Sequence, residues 1–175
     1  MLISLTGLPG VGKTTIAQQL VTDLRAVHIC IDTIEQSLRS SLDTDQNFYK
    51  DAYEIGCAVA ADNLRLGLTV IADCVNASPL TRDRWLDVAQ HAEVRVIEVE
   101  VTCTDQTELN RRIEMDAASD PPGGSPRWQQ VARFYEPLSR PHIVIDTAGR
   151  TVAESVAELR AALVSNGRSS DPVNG

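Results

Sequence analysis

The residues with the clearest chemical potential in this 175-residue chain lie near its N-terminus. Gly7-Leu8-Pro9-Gly10-Val11-Gly12-Lys13-Thr14 matches the full phosphate-loop pattern, a glycine-rich turn followed by lysine and threonine. In such a loop, backbone N–H groups turn inward around phosphate oxygens, and the N-terminus of the following helix adds about half a positive charge. We expect Lys13 to reach the β- and γ-phosphates and the Thr14 hydroxyl to ligate Mg²⁺. The sequence therefore predicts a site for ATP and Mg²⁺.

The context of the loop is the one that this motif requires. Leu2 to Thr6 is an apolar run before the loop, and Ile16, Leu20 and Leu24 share one face of a helix after it. Short β-rich runs then alternate with helical periods to about residue 164, which predicts an α/β fold with a five-stranded parallel sheet and helices on both faces. The strand candidates are Leu2 to Thr6, Ala26 to Ile31, Leu68 to Ala72, Val94 to Val101 and His142 to Ile145.

The fourth strand candidate differs from the others in its charge. Arg95, Glu98 and Glu100 interrupt its apolar run, whereas strands covered on both faces are nearly continuous in apolar residues. We therefore expect this strand to lie near an edge of the sheet, or to leave the core before its end.

Capping signals and breaks in the pattern mark further helices and the limits of the domain. Ser78-Pro79 predicts the N-cap and first residue of one helix, and Thr151 with Glu154 forms a capping box before the last helix. Ala118 to Pro126 is rich in proline and glycine and predicts either a mobile lid or a plain surface connection. We expect one domain over residues 1–164, with the lid over about 104–136, and a disordered polar tail over 165–175.

Two aspartates stand where ligands bind in open parallel sheets. The second predicted strand ends in Asp32 and the third in Asp73, so both carboxylates reach the carboxyl edge of the sheet. A carboxylate at Asp73 can hold Mg²⁺ directly or through water, and one at Asp32 can accept a proton from an alcohol that attacks the γ-phosphate. An aspartate at a strand end is also a common turn or N-cap residue. Together with the phosphate loop, the pair favours phosphoryl transfer.

Composition and missing motifs exclude several classes of protein. Twenty-four acidic residues against sixteen basic ones give a net charge of -8, which disfavours non-specific nucleic-acid binding. Asp73 is followed by Cys74 rather than by a glutamate, and Asn-Lys-x-Asp is absent, which disfavours hydrolytic motors and guanine-specific switches. No apolar run approaches the roughly 18 residues that span a bilayer, so we expect a cytoplasmic protein. The cysteines lack zinc-site spacing, and structural or surface roles are expected for His28, His91 and His142.

Residues beyond the general motif add detail to the phosphate loop and the third strand. Pro9 and Thr15 extend the loop to Gly-x-Pro-Gly-x-Gly-Lys-Thr-Thr, and Asp73 is followed by Asn76 and then by Arg82 on the next predicted helix. With these residues, the sequence resembles the small phosphate-loop kinases that include polynucleotide kinase, gluconate kinase, chloramphenicol phosphotransferase and the zeta toxins. The resemblance covers about residues 1 to 164 and implies a three-layer P-loop NTPase fold with a helical lid.

The resemblance also implies catalytic roles. Asp32 would be the base that activates the acceptor hydroxyl, and a lid arginine would bear on the phosphates during transfer. Arg111 and Arg112 match the lid position, and Arg133 lies beyond the Pro/Gly loop. Because adjacent helical residues point about 100° apart, we expect only one of the neighbouring pair to face the nucleotide. The alternative is that these are solvated surface arginines.

Further positions are implied for the nucleotide base and the acceptor pocket. Asp146-Thr147-Ala148-Gly149 follows the last predicted strand, where proteins of this kind often hold adenine through backbone contacts. Gly149 can equally serve only the turn into the last helix. Trp128 and the Phe134-Tyr135 pair line an acceptor pocket or belong to the core, and the core is the commoner place for such aromatics.

The acceptor side departs from part of the group. In polynucleotide kinases a basic residue usually comes soon after the catalytic base. In this sequence Asp32 is followed by Thr33-Ile34-Glu35-Gln36, and the first arginine is Arg39. Asp32, Arg39, Asn76 and Arg82 are the expected acceptor contacts. The sequence thus favours an ATP- and Mg²⁺-dependent kinase acting on a hydroxyl of a neutral or cationic small molecule. The alternatives are a 5′-hydroxyl polynucleotide or nucleoside kinase and a non-catalytic ATP-binding switch.

Overall fold

A computed structural model describes residues 1–42, 47–117 and 132–168 of the chain. Its sheet has five parallel strands in the order β2-β3-β1-β4-β5. The strands are β1 (Leu2–Thr6), β2 (Val27–Cys30), β3 (Val70–Asp73), β4 (Val96–Thr102) and β5 (Ile143–Asp146). The helices are α1 (Lys13–Leu24), α2 (Ile31–Leu42), α3 (Tyr49–Arg65), α4 (Pro79–His91), α5 (Gln106–Ala117) and α6 (Val152–Arg168). The predicted α/β fold is confirmed.

Each face of the sheet carries its own apolar layer. Neighbouring residues of a strand point to opposite faces, so Ile3 packs in the layer that includes Leu20 of α1 and Leu159 of α6. Leu2 packs in the other layer with Trp85 of α4, and all five of these side chains are fully buried. Because both faces are covered, the strands other than β4 have nearly continuous apolar runs, which made them recognisable in the sequence.

Strand β4 lies between β1 and the edge strand β5, so it is one strand in from an edge and is paired on both sides. Its charges are covered: Glu98 is 8% exposed and accepts hydrogen bonds from the guanidinium of Arg140. Glu100 accepts a hydrogen bond from the hydroxyl of Tyr135 at 2.6 Å. A central strand can carry carboxylates when partners from another segment satisfy them in this way.

Both predicted helix starts are confirmed. Ser78 precedes α4, and its N–H lies 3.4 Å from the Thr81 hydroxyl, the contact of a capping box. Before α6, the N–H of Thr151 donates to Glu154 at 2.8 Å, and the N–H of Glu154 donates back to the Thr151 hydroxyl at 3.3 Å.

Some boundaries differ from the predicted ones. Strand β2 ends at Cys30 and α2 begins at Ile31, so Asp32 lies in the first turn of a helix and does not end the strand. Helix α6 continues to Arg168, so the predicted tail is helical over residues 165–168. Residues 169–175 and the middle of the predicted lid, 118–131, lie outside the described residues. Across the described ranges, no helix is long and apolar enough to cross a membrane.

Candidate active site

The phosphate loop joins β1 to α1, and two of its positions admit only glycine. Gly7 has a φ of 148° and Gly10 a φ of 80°, conformations that other residues rarely adopt. A Cβ at Gly7 would collide with the carbonyl oxygen of Val101, and a Cβ at Gly10 would lie 2.8 Å from Cγ1 of Ile113. The loop therefore packs closely against the end of β4 and against α5.

Lys13 is the first residue of α1, and its side chain folds back over the loop. It is 6% exposed, and its ammonium donates a hydrogen bond to the carbonyl of Leu8 at 2.9 Å. Burial lowers the pKa of Lys13, while the negative charges of Asp73 and Asp32 act in the opposite direction. Both carboxylates are thus close enough to stabilise the charged ammonium.

Asp73 and Thr14 offer oxygen ligands beside the loop. Asp73 ends β3, opposite Cys30 of β2, and its Oδ2 accepts a hydrogen bond from Nε2–H of His28 at 3.2 Å. Thr14 is exposed in the first turn of α1. In the described parts of the chain, no group of three or more His, Cys, Asp or Glu could hold a metal by itself. Mg²⁺ at a phosphate site takes one or two protein oxygens and completes its shell with phosphate and water, so Thr14 and Asp73 fit this ion.

Asp32 lies at the same edge of the sheet as Asp73. Asp73 ends β3 and Asp32 lies two residues beyond the end of the adjacent parallel strand β2, exposed in the first turn of α2. One turn further along α2, Glu35 is 1% exposed and forms an ion pair with Arg39 at 2.8 Å. The charge of the first arginine after Asp32 is therefore balanced within its own helix.

Of the two adjacent arginines on α5, Arg112 is the one that faces the phosphate loop. Its Nη1 donates to the hydroxyl of Thr147 at 2.9 Å, and its Nη2 donates to Glu108 at 2.6 Å. A methyl group placed on Gly12 would lie 3.9 Å from Nη1 of Arg112. Arg111 is exposed, and its guanidinium contacts a methionine one turn along the same helix.

Thr147 connects the loop after β5 to the phosphate loop. It is 5% exposed, and its hydroxyl lies 2.9 Å from the carbonyl oxygen of Val11 and 3.0 Å from that of Thr102. Because the same hydroxyl accepts a hydrogen bond from Arg112, Thr147 links three elements of the site. The sequence placed Thr147 only within the base-binding segment, and no local motif signals this bridging role.

The rest of the predicted base-binding segment is fixed by its own polar groups. Asp146 accepts hydrogen bonds from the N–H of Thr104 at 3.0 Å and of Ala148 at 3.1 Å, and the Thr104 hydroxyl is the main cause that lowers the pKa of Asp146. Gly149, with a φ of 64°, donates its N–H to Glu108 at 2.9 Å. The carboxylate of Asp146 and the N–H of Gly149 thus have hydrogen-bond partners within the protein, and the contact of these residues with a base stays a prediction.

Asn76, expected at the acceptor site, is fully buried. Its amide nitrogen donates to the carbonyl of Leu5 at 3.0 Å, and its amide oxygen accepts from the Tyr53 hydroxyl and the Trp85 indole, each at 3.2 Å. Its φ of 51° places it in the left-handed region. The structure therefore makes Asn76 a junction between β1, α3 and α4 and does not bring it to a surface that a substrate can reach.

Arg82 is likewise 3% exposed and directed inward. Its Nε donates to the carbonyl of Asn76 at 2.8 Å, and Nη1 donates to that of Pro137 at 3.3 Å. Its guanidinium lies over the ring of Tyr135, 5.5 Å from the centroid. Arg82 thus links the segment before β5 to the loop before α4. The sequence predicted a contact with the acceptor, but the structure directs the guanidinium to these backbone carbonyls instead.

The last candidates from the sequence are an arginine and three aromatic residues of the predicted lid, and they differ in their surroundings. Arg133 and Phe134 are exposed in a short helical stretch at 132–134, with Phe134 74% exposed. Tyr135 is half-buried and directed to β4. Trp128 lies outside the described residues.

Comparisons with known sequences identify the family. The AAA domain family matches residues 2–138 of the chain. A probable adenylyl-sulfate kinase of Halalkalibacterium halodurans is 31% identical over 160 residues, which cover 89% of this chain and 76% of that protein. A probable adenylyl-sulfate kinase of Pseudomonas aeruginosa is 30% identical over 164 residues, which cover 88% of this chain and 72% of that protein.

Solved structures agree on the fold. A putative kinase of Chloroflexus aurantiacus has a TM-score of 0.72 at 25% identity, covering 94% of this chain and 96% of its own. An APS kinase of Mycobacterium tuberculosis in complex with AMPPNP and APS has a TM-score of 0.70 at 18% identity, covering 93% and 96% respectively. The phosphate loop, the strand order and these matches show that the chain belongs to the AAA domain family of small phosphate-loop kinases.

Proposed function

We propose that this protein is an ATP- and Mg²⁺-dependent kinase that transfers the γ-phosphate to a hydroxyl group of a small-molecule acceptor. The observation that carries the proposal is the convergence on Lys13 of two carboxylate charges, Asp73 and Asp32, at the edge of the sheet where the phosphate loop lies. A cation for the phosphates, an oxygen ligand for the metal and a base for the acceptor are thereby gathered at one place.

The nucleotide side has three groups with separate tasks. Lys13 neutralises charge on the β- and γ-phosphates, and Arg112, beside Gly12, stabilises charge on the phosphoryl group during transfer. Thr14 and Asp73 would hold Mg²⁺, which when bound neutralises charge that develops between the two phosphates. Both cations are held by hydrogen bonds before a nucleotide enters, so little reorganisation opposes binding.

The acceptor side depends on Asp32. Its carboxylate accepts the proton of the acceptor hydroxyl while that oxygen forms a bond to the γ-phosphorus. The bond from the γ-phosphorus to the bridging oxygen breaks, and ADP leaves with the bonding electrons. The exposure of Asp32 in the first turn of α2 allows an acceptor to approach it.

Charge on the acceptor side favours a neutral or cationic acceptor. The ion pair of Arg39 with Glu35 balances the first arginine after Asp32, and Arg82 is buried. An anionic acceptor would therefore meet the carboxylate of Asp32 without an unbalanced positive charge on α2. Adenylyl sulfate is a second candidate acceptor, because the relatives at 30–31% identity are probable adenylyl-sulfate kinases.

Transfer of label from γ-labelled ATP in the presence of Mg²⁺ tests the proposal. The acceptor arms are sugars, nucleosides, aminoglycoside and other antibiotics, adenylyl sulfate, and 5′-hydroxyl oligonucleotides, each assayed separately. The variant Asp32→Asn is assayed beside the wild type, with Asp51→Asn as its matched control, since Asp51 is an exposed aspartate in the first turn of α3. We expect Asp32→Asn to keep nucleotide affinity and to lose roughly 10²- to 10⁴-fold in transfer.

Each outcome assigns a function. A labelled product in one arm that disappears in Asp32→Asn identifies the acceptor class and supports the base. Retained transfer in Asp32→Asn would show that Asp32 is not the base, and the kinase activity itself would still stand. Tight ATP binding without product in any arm would favour the non-catalytic switch.

A further inference from the structure

His28 lies on β2 and reaches the carboxylate at the end of β3. Its Nε2–H donates to Oδ2 of Asp73 at 3.2 Å, and the imidazole is 22% exposed while the carboxylate is 2% exposed. In the strand register, Cys30 faces Asp73 and His28 faces Ile71, so the ring reaches diagonally to the next pair. The contact depends on the parallel pairing of β2 with β3, because the two residues are 45 positions apart.

This hydrogen bond restricts the orientation of Asp73. A carboxylate has two oxygens that can accept, and His28 occupies Oδ2, which leaves Oδ1 for a ligand. Bulk water has little access to a carboxylate that is 2% exposed, so the protein itself must hold the group in place. The negative charge of Asp73 also opposes the lowering of the Lys13 pKa by burial.

Given the kinase function proposed above, with Asp73 as a ligand of Mg²⁺, we propose that His28 is a positioning residue for that ligand. The imidazole holds one carboxylate oxygen so that the other is directed to the metal or to a water bound to it. His28 acts through Asp73 and not on the reacting groups. Partners that orient a metal-binding carboxylate contribute roughly 10- to 100-fold to metal affinity or activity.

The test measures Mg²⁺ binding without turnover. The affinity of the non-hydrolysable analogue AMP-PNP is measured by calorimetry over a range of Mg²⁺ concentrations in the wild type, His28→Leu and His28→Gln. We expect the Mg²⁺ concentration for half-maximal tightening to rise about tenfold in His28→Leu. We expect most of that loss to be recovered in His28→Gln, whose amide can donate to the same oxygen, and the affinity without Mg²⁺ to stay unchanged in both.

A matched control lies on another part of the sheet. His142 is 16% exposed and its Nε2 lies 3.3 Å from Glu100, so His142→Leu removes a similar histidine–carboxylate contact away from Asp73. We expect the Mg²⁺ dependence of this variant to equal that of the wild type. Thermal unfolding of each variant reports on folding, and if His28→Leu does not fold, His28→Asn with its shorter amide replaces it.

The outcomes separate this proposal from the function on which it rests. Asp73→Asn is measured in the same way, and if it removes the Mg²⁺ dependence while His28→Leu does not change it, His28 has no positioning role and the kinase proposal stands. Equal weakening of AMP-PNP by His28→Leu with and without Mg²⁺ would show a structural role only and overturn the proposal. An unchanged Mg²⁺ dependence in Asp73→Asn would overturn the metal assignment itself, and the role of His28 with it.

Discussion

Two pairs of polar residues, Lys13 and Thr14 on the phosphate side and Asn76 and Arg82 on the predicted acceptor side, use their polar groups in opposite ways. On the phosphate side, Lys13 donates to a single loop carbonyl and Thr14 is exposed, so both keep bonding capacity for a ligand. On the acceptor side, Asn76 and Arg82 are at most 3% exposed and use their polar groups on backbone carbonyls and buried side chains. Both sets belong to motifs that the sequence shows, yet only the first keeps polar groups that are not used up inside the protein.

The difference teaches what a motif residue can be for. A hydrogen bond inside the protein contributes about 1 kcal/mol net, but a buried group left without its partner costs about 1 to 3 kcal/mol. Asn76 has such partners on β1, α3 and α4, so its removal would leave several groups unsatisfied at once. A motif residue can thus be required because it holds the loops around a site, without touching any ligand.

The largest effect on activity is expected when the phosphate side loses its lysine. Lys13→Ala should lower kcat/KM for transfer by roughly 10³-fold, since it removes a preorganised cation from the phosphates. Thermal stability should hold, because burial disfavours the charged ammonium in the folded state and lowers its pKa. The natural control is Lys50→Ala, since Lys50 is the other lysine in the sequence and its side chain is 75% exposed. Equal activities in the two variants would contradict the assignment.

The two neighbouring arginines of α5 should differ in their effect on kcat, and this effect is smaller than that of Lys13. Arg112→Ala is expected to lower kcat by roughly 10²-fold, because its guanidinium lies beside the phosphate loop. Arg111→Ala should change kcat by less than about twofold, as is usual for an exposed surface charge. Steady-state kinetics of the two variants decide between them, and a larger loss in Arg111→Ala would reverse the assignment.

On the acceptor side, the expected effect is on stability. Asn76→Ala should lower the free energy of unfolding by about 2 to 3 kcal/mol, because several buried partners lose their bonds. That corresponds to a fall in Tm of about 4 to 12 °C in a chain of this size. The KM for the acceptor, measured well below Tm, should stay near that of the wild type. Asn63→Ala serves as the control, since the side-chain amide of Asn63 donates to a carbonyl of its own helix. A raised acceptor KM with an unchanged Tm would instead support direct substrate contact.

Local patterns predicted the parts of the fold that depend on local order. The phosphate loop, the five apolar strands and the capped helices α4 and α6 each have their signal within a few residues. Helix α3 had no such signal, because its buried positions include Ala52, Gly56 and Ala60, whose small side chains give a weak apolar period. It was therefore absent from the prediction.

Features that depend on distant partners could not be predicted. The place of β4 inside the sheet depends on Arg140 covering Glu98, 42 residues away. The contact of His28 with Asp73 and the bridge from Thr147 to Val11 likewise join segments that meet only in the fold. Composition and period contain no information on such pairs, so the sequence predicted a ligand role for Asp73 and a structural or surface role for His28, but not the contact between them.

The smallest effect tests the segment after β5 through its pH dependence. Hydrogen bonds from Thr104 and from the backbone lower the pKa of Asp146 below its ordinary value of 3.8, so the folded state favours the carboxylate. This contribution is present above that value and is lost as the pH falls through the lower folded pKa. Asp146→Asn should thus lower Tm by about 2 to 4 °C at pH 7, the equivalent of roughly 1 kcal/mol.

The difference in Tm between wild type and Asp146→Asn should narrow when thermal unfolding is followed from pH 7 to pH 3. Asp62→Asn is the matched control, because Asp62 is 77% exposed and pairs with Arg65 on its own helix. A difference that stays constant over this range would show that the shape of the side chain, and not its charge, fixes the segment. The hydrogen bonds from Thr104 and from the backbone to Asp146 would then hold the segment in place regardless of the charge of the side chain.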